Sequence, residues 1–279
     1  IKSEVFFPMF ITGLSGNGKT TMVEQVCANL GRPMVRVNFT KLSDEDQLIG
    51  SLRLINGETV WEDGPVVRAM KLGAILLLDE VDLSDEKVMC LQPILEGKGI
   101  FIKTTNQMVA HAPGFNIFAT GNTKGQGDDT GKFSGTSQMN EAFLERFPLT
   151  IEQPYPTKSQ ERRILKKVFG KSNILDADDQ EHYIEHLLEF VDQVRKGYDG
   201  DIIDEVISTR RVVQIVRTFL IFQDKDKALD MCLARFTKDV QSTLKELYRG
   251  CEPKTKAEIE AEEAAKKLAE QEEQVKKEA

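Results

Sequence analysis

The octet Gly13-Leu14-Ser15-Gly16-Asn17-Gly18-Lys19-Thr20 constrains this chain more than any other stretch. It fits GxxxxGK[ST]. An apolar run, Met9 to Thr12, precedes it and a helical pattern, Thr20 to Leu30, follows. Glycines allow successive backbone N–H groups to converge on one anion, and the helix N-terminus adds partial positive charge. Gly13, Ser15, Gly16, Asn17, Gly18, Lys19, Thr20 and Thr21 are therefore the candidate phosphate-binding residues. In this pattern the lysine reaches the β- and γ-phosphates and the Thr20 hydroxyl meets Mg²⁺. The expected ligands are ATP and Mg²⁺.

A second element points the same way. Ala74 to Leu78 is apolar at every position and runs into Asp79-Glu80. Such a strand is covered on both faces, and open α/β sheets bind ligands beyond the carboxyl ends of their strands. Asp79 is expected to hold Mg²⁺ with Thr20, and Glu80 to orient or deprotonate the attacking water. A paired acid there marks a hydrolase rather than a kinase. Asp82 is either a further site residue or the start of the next helix. A third strand, Asn116 to Thr120, ends in Gly121-Asn122. That places Asn122 as a polar contact to the γ-phosphate or the water.

The fold class follows from the alternation of these strands with helices. Met9 to Thr12, Met34 to Phe39, Ala74 to Leu78, Asn116 to Thr120 and Leu149 to Ile151 read as five parallel strands flanked by helices. Residues 1–153 form the expected α/β core, and Pro154 and Pro156 punctuate a linker. Residues 154–252 read as a small all-helical domain, with helices at Ser159 to Phe169, Asp179 to Lys196, Thr209 to Phe222 and Lys225 to Arg249. Residues 253–279 hold six lysines and eight glutamates with no aromatic residue, and read as a solvated helical or frayed tail.

Composition narrows the function classes. The net charge of −8 argues against a dedicated nucleic-acid binder. No apolar run reaches the ~18 residues of a membrane span. Cys27, Cys90, Cys232 and Cys251 are scattered with no CxxC pair, which reads as reduced thiols in a cytoplasmic protein. His182 and His186 share a helix face, but the order HYIEH is not that of a zinc-binding HExxH.

Together these motifs resemble those of the AAA+ ATPases, in their MoxR-like branch, over roughly Phe7 to Phe222. The resemblance implies an AAA+ P-loop core with a helical lid. It implies that Asn122 is the sensor-1 residue. It also implies that Arg146, in Ala142-Phe143-Leu144-Glu145-Arg146-Phe147, is an arginine finger acting on the ATP of a neighbouring subunit. The active form would then be a homo-oligomeric, hexameric ring. Ser208-Thr209-Arg210 resembles the Ser-Pro-Arg of sensor 2, which selects Arg210, with Arg211 adjacent. Leu52 to Asp63 and Gly97 to Pro113 resemble the inserted hairpins of this branch, facing either the pore and partner or plain solvent.

Within that branch, Gly127, Asp128, Thr130, Gly131, Phe133, Gly135, Thr136, Gln138 and Asn140 match the G-D-x-T-G-x-aromatic-x-G-T-x-Q-x-N run of the CobS-type ATPase subunit of aerobic cobaltochelatase. Partial matches of this kind also occur among phage-carried ATPases. The resemblance implies ATP-driven cobalt insertion into a corrin precursor, catalysed by separate chelatase subunits. A MoxR-like chaperone with another protein client is the alternative. A nucleic-acid motor using Lys98 and Lys103 is disfavoured by the net charge.

Overall fold

The computed structural model describes residues 1–251 apart from 85, 126, 128–135, 137 and 171. Most of the Gly127 to Asn140 run, and the tail expected over 253–279, lie outside the described residues. The chain divides into two compact units, Ile1–Tyr155 and Pro156–Ala279.

The first unit runs β1 (Met9–Thr12), α1 (Lys19–Asn29), β2 (Met34–Asn38), α2 (Glu45–Leu48), β3 (Gly50–Ile55), β4 (Glu58–Asp63), α3 (Pro65–Leu72), β5 (Ile75–Asp79), α4 (Gln92–Leu95), β6 (Ile100–Ile102), β7 (Gln107–Val109), β8 (Asn116–Thr120), α5 (Glu141–Leu144) and β9 (Leu149–Glu152). Short 3-10 turns at Val81–Leu83 and Glu86–Leu91 follow β5. The five expected strands form one parallel sheet in the order β2-β5-β8-β1-β9.

Side-chain alternation sorts the sheet's two faces. Ile75 and Leu77 of β5 join Ile11, Phe118, and Val23 and Cys27 of α1 in one cluster. Leu76 and Leu78 face the other way, into a larger cluster with Phe10, Ile117, and Val66, Val67 and Met70 of α3. Both central strands, β5 and β8, are buried at every residue. Their polar ends are therefore held at fixed places by apolar packing.

β8 lies between β1 and β5, so the tip of β8 falls between the phosphate loop and the acidic end of β5. Two antiparallel hairpins, β3-β4 and β6-β7, stand apart from the sheet.

The second unit holds α6 (Lys158–Phe169), α7 (Ala177–Asp199), α8 (Thr209–Phe222), α9 (Lys225–Leu233) and α10 (Lys238–Gly250). The sequence predicts one helix over Lys225 to Arg249, and the structure has two. Phe236 is buried at the break, and the Thr237 side chain accepts the Val240 N–H to cap α10. An N-cap costs no apolar position, so the 3.6-residue pattern runs on through the break and hides it. These helices enclose Tyr183, Leu187, Phe190, Ile215, Phe219 and Leu244 in a single core. Among the described residues no helix is long and apolar enough to cross a membrane.

Candidate active site

The ends of β1, β5 and β8 place the central site residues. β1 delivers the chain into the loop, where Gly13 has φ 141°. A Cβ there would sit 2.4 Å from the Gln153 carbonyl oxygen, so only glycine fits. Gly18 has φ 95° and leaves the start of α1 without a side-chain cap. The helix N-terminus thus opens toward the loop, a cradle that suits an anion.

Asn17 and Gln153 fasten the loop to the far edge of the sheet. Asn17 Nδ2 donates to the Gln153 carbonyl at 2.5 Å, and Gln153 Nε2 returns a bond to the Asn17 carbonyl at 3.2 Å. The Tyr155 hydroxyl donates to the Ser15 carbonyl at 3.2 Å. Thr21 follows in α1 and is exposed.

Lys19 is buried, and its Nζ donates to the Gly13 carbonyl at 2.7 Å, the Leu14 carbonyl at 3.1 Å and Asn122 Oδ1 at 3.2 Å. The phosphate loop and the tip of β8 therefore meet at one ammonium group. Thr20 Oγ1 donates to Asp79 Oδ1 at 2.8 Å, joining the loop to β5. Thr120 donates to the same Asp79 oxygen, and Thr120 Oγ1 accepts the Glu80 N–H at 3.1 Å. Asp79 is buried and Glu80 is exposed. Glu80 stands at φ 56°, ψ 44°, the left-handed region that a side-chain-bearing residue occupies only at a cost. Four of the site residues drawn from sequence are thus brought together in two pairs, Lys19 with Asn122 and Thr20 with Asp79.

Mg²⁺ fits this donor set. A hydroxyl beside a buried carboxylate is oxygen-only chemistry, and Mg²⁺ is bound by one or two such groups together with substrate phosphates. The hydrogen atom of Thr20 already points to Asp79, which leaves the lone pairs of Oγ1 for a cation.

Asp82 stands at the start of the next helical turn, as one of the two expectations has it. It lies in the 3-10 turn after β5 and is 0% exposed. Its Oδ2 accepts the N–H groups of Asn122 at 2.7 Å and Thr123 at 2.9 Å, and the Thr123 hydroxyl at 3.2 Å. Asp82 thus fixes the loop that carries Asn122. The sequence signal was an acid in an otherwise buried turn, but its partners lie about forty residues on.

Arg36 of β2 was missed. Its Nη2 lies 2.5 Å from Asp79 Oδ2, its Nη1 3.1 Å from Glu24 Oε1, and its Nε donates to Asn38 Oδ1 at 2.9 Å. The available signal was a lone arginine inside the apolar run Met34 to Val37.

The other candidates stand elsewhere. Arg146 follows α5, where its Nε meets Glu96 Oε1 at 2.8 Å and its Nη1 donates to the Ala142 carbonyl. Glu96 also receives Lys98 at 2.7 Å, and the bonds from Lys98 and Arg146 hold its carboxyl below the usual range. Lys103 is exposed in the β6-β7 hairpin. The β3-β4 hairpin exposes Leu52, Leu54, Ile55 and Val60.

In the second unit Arg210 is exposed at the start of α8. Arg211 donates to the Cys232 carbonyl at 3.0 Å, and burial, with Arg235 nearby, holds it below the ordinary arginine value. Arg211 is therefore committed to packing α8 against α9. His186 donates from Nε2 to the Tyr248 carbonyl at 2.6 Å and stacks on the Tyr248 ring. In the first unit, burial pushes the Cys90 thiol up to about 12.

A parallel sheet with this strand order, a glycine-rich loop opening a helix, and polar tips on β5 and β8 define a P-loop nucleotide-binding protein. Residues 8–147 match the AAA domain family, dynein-related subfamily. The chain belongs to the AAA+ ATPases, in their MoxR-like branch.

Among curated proteins it is 29% identical over 222 residues to the aerobic cobaltochelatase subunit CobS of a Sinorhizobium species, an alignment covering 77% of this chain and 66% of that one. It is 30% identical over 228 residues to Protein NorQ of Paracoccus denitrificans, covering 81% of this chain and 78% of that one. Midasin of Giardia intestinalis is 30% identical over 144 residues, half of this chain but 3% of its own length. The chain thus spans just under two thirds of the cobaltochelatase subunit and a small fraction of midasin.

Proposed function

We propose that this chain is a Mg²⁺-dependent ATP hydrolase working as the motor subunit of a ring, most closely as the ATPase partner in cobalt insertion into a corrin precursor. The observation that carries the hydrolytic reading is the pair of bonds joining three strand ends: Lys19 to Asn122 and Thr20 to Asp79. Lys19 would hold the β- and γ-phosphates through charge-assisted bonds. Thr20 and Asp79 would hold Mg²⁺, which neutralises phosphate charge when bound.

Glu80 accepts a proton from water as the new O–P bond forms at the γ-phosphorus and the bond to the β-phosphate oxygen breaks. ADP is the leaving group. Asn122, fixed by Asp82, orients that water or the γ-phosphate. Arg146 would reach the ATP of a neighbouring subunit in a hexameric ring, and Arg210 would sense the nucleotide from the lid.

The chelatase reading is supported by the similarity to the cobaltochelatase subunit and by the Gly127 to Asn140 run. Catalysis of metal insertion is assigned to separate subunits, as the resemblance to the cobaltochelatase ATPase subunit implies. A MoxR-type remodeller with another protein client is the alternative, since Protein NorQ is similar over more of both chains than the cobaltochelatase subunit is.

One assay separates them. The chain is mixed with the other cobaltochelatase subunits, corrin precursor, Co²⁺ and ATP, and the corrin absorbance is followed. ATP-dependent insertion, lost in Lys19→Ala, is the expected result. Absence of insertion with ATPase activity and ring assembly intact would replace the chelatase role with that of a remodeller for another client.

A further inference from the structure

We propose that Arg36 is a resident counter-charge for Asp79, and that it sets how much Mg²⁺ the phosphate site needs. The inference rests on the reading of the Thr20–Asp79 pair as the Mg²⁺ end of the site.

The two oxygens of Asp79 have different partners. Oδ1 accepts hydroxyl bonds from Thr20 and Thr120, which are neutral donors. Oδ2 is held by the Arg36 guanidinium at 2.5 Å, a full positive charge. Asp79 itself is 4% exposed, so its charge is poorly screened and the nearest cation governs it. A cation drawn to this carboxylate, or the water shell it carries, has to share Oδ2 with Arg36 or displace it.

Arg36 is built to be shared. Its side chain is 41% exposed and lies on β2, at the edge of the sheet. A second carboxylate, Glu24 of α1, takes Nη1 at 3.1 Å, and Asn38 takes Nε at 2.9 Å. The guanidinium therefore bridges the helix that starts at the phosphate loop and the strand that ends in the acid. When it turns from Asp79, Glu24 and Asn38 still hold it. The planar fork of arginine, with several donors in fixed directions, makes such a three-way bridge, and a lysine ammonium does not reproduce it.

Glu24 and Asp79 compete for one positive charge, so removing either participant shifts the other. Loss of Arg36 leaves Asp79 without its counter-charge and strengthens its pull on Mg²⁺. Loss of Glu24 gives Asp79 the whole guanidinium and weakens that pull. The two substitutions are expected to move the Mg²⁺ requirement in opposite directions, which a general disturbance of the fold would not do.

The test is binding of a fluorescent ATP analogue to the full chain at fixed nucleotide, titrated with Mg²⁺. Arg36→Gln should lower the Mg²⁺ concentration for half-maximal binding roughly tenfold, and Glu24→Gln should raise it about twofold. Arg36→Lys, which keeps the charge, should fall between Arg36→Gln and the natural chain. If Arg36→Gln is too unstable to titrate, Arg36→Lys and Glu24→Gln still predict shifts of opposite sign. An unchanged or raised requirement in Arg36→Gln, or shifts of the same sign in the Arg36 and Glu24 variants, would overturn the proposal. A natural chain whose nucleotide binding ignores Mg²⁺ would overturn the underlying reading of the site, and this inference with it.

Discussion

The two units of this chain each bury a carboxylate among donors, in different surroundings. In the helical unit one charged pair is matched, although the Tyr183 hydroxyl there is buried with no partner among the described residues. Glu161 and Arg195 form a bidentate pair at 2.8 and 3.0 Å, and both are largely buried. The Thr209 hydroxyl donates to Glu161, and Arg195 Nε donates to the Ile207 carbonyl at 3.1 Å. The acceptors and donors of this network serve one another and tie α6, α7 and α8 together.

In the α/β unit the polar groups sit at strand ends and face a loop. Glu80 is exposed in a left-handed turn, and among the described residues Asp82 Oδ1 is buried without a hydrogen-bond partner and α1 starts without a side-chain cap. Closed networks stabilise a fold, whereas converging groups with capacity left over mark a place where something binds.

That contrast can be broken by experiment. The largest expected effect is that of Arg146→Ala on the assembled ring. Turnover should fall about a thousandfold, some 4 kcal/mol of barrier, with ATP affinity nearly unchanged. Steady-state hydrolysis beside nucleotide titration checks it, and an unaffected rate places the finger elsewhere.

Next comes the helical unit's closed network. Glu161→Ala strands the Arg195 charge and should cost about 3 kcal/mol in denaturant unfolding. Glu161→Leu combined with Arg195→Met should recover part of that, because neither charge is then stranded, while the bonds to Thr209 and the Ile207 carbonyl are lost. A double variant as unstable as the single one would mean that the network does more than close.

The smallest effect sharpens the choice between adjacent arginines. Arg211→Ala removes one bond to the Cys232 carbonyl and should lower stability by about 1 kcal/mol. Arg210→Ala, at an exposed position, should leave stability within about 0.5 kcal/mol. Reversal of that order would exchange their structural roles.

Much of the fold was legible because apolar runs and glycines leave local marks. All five strands of the sheet read from short hydrophobic runs, and the phosphate loop read from glycine spacing and Lys19. The single helix expected over Lys225 to Arg249 failed because a threonine cap does not interrupt an apolar stripe.

What stayed hidden in the site were relations between residues far apart in sequence. Asp82 holds Asn122 across forty residues, Arg36 reaches Asp79 across forty-three, and Asn17 exchanges bonds with Gln153 across 136. Each is set by the strand order, in which β8 separates β1 from β5 and β2 lies beside β5. The sequence names the residue types, and only the order of the strands decides which of them meet.

The central proposal is that the polar strand ends form a hydrolytic ATP site in which Glu80 handles the water. Its most direct test is Glu80→Gln, measured for ATP binding by titration and for turnover by phosphate release in the same preparation. The expected result is binding within about threefold of the natural chain and turnover lowered at least about a hundredfold. Undiminished turnover would contradict the claim.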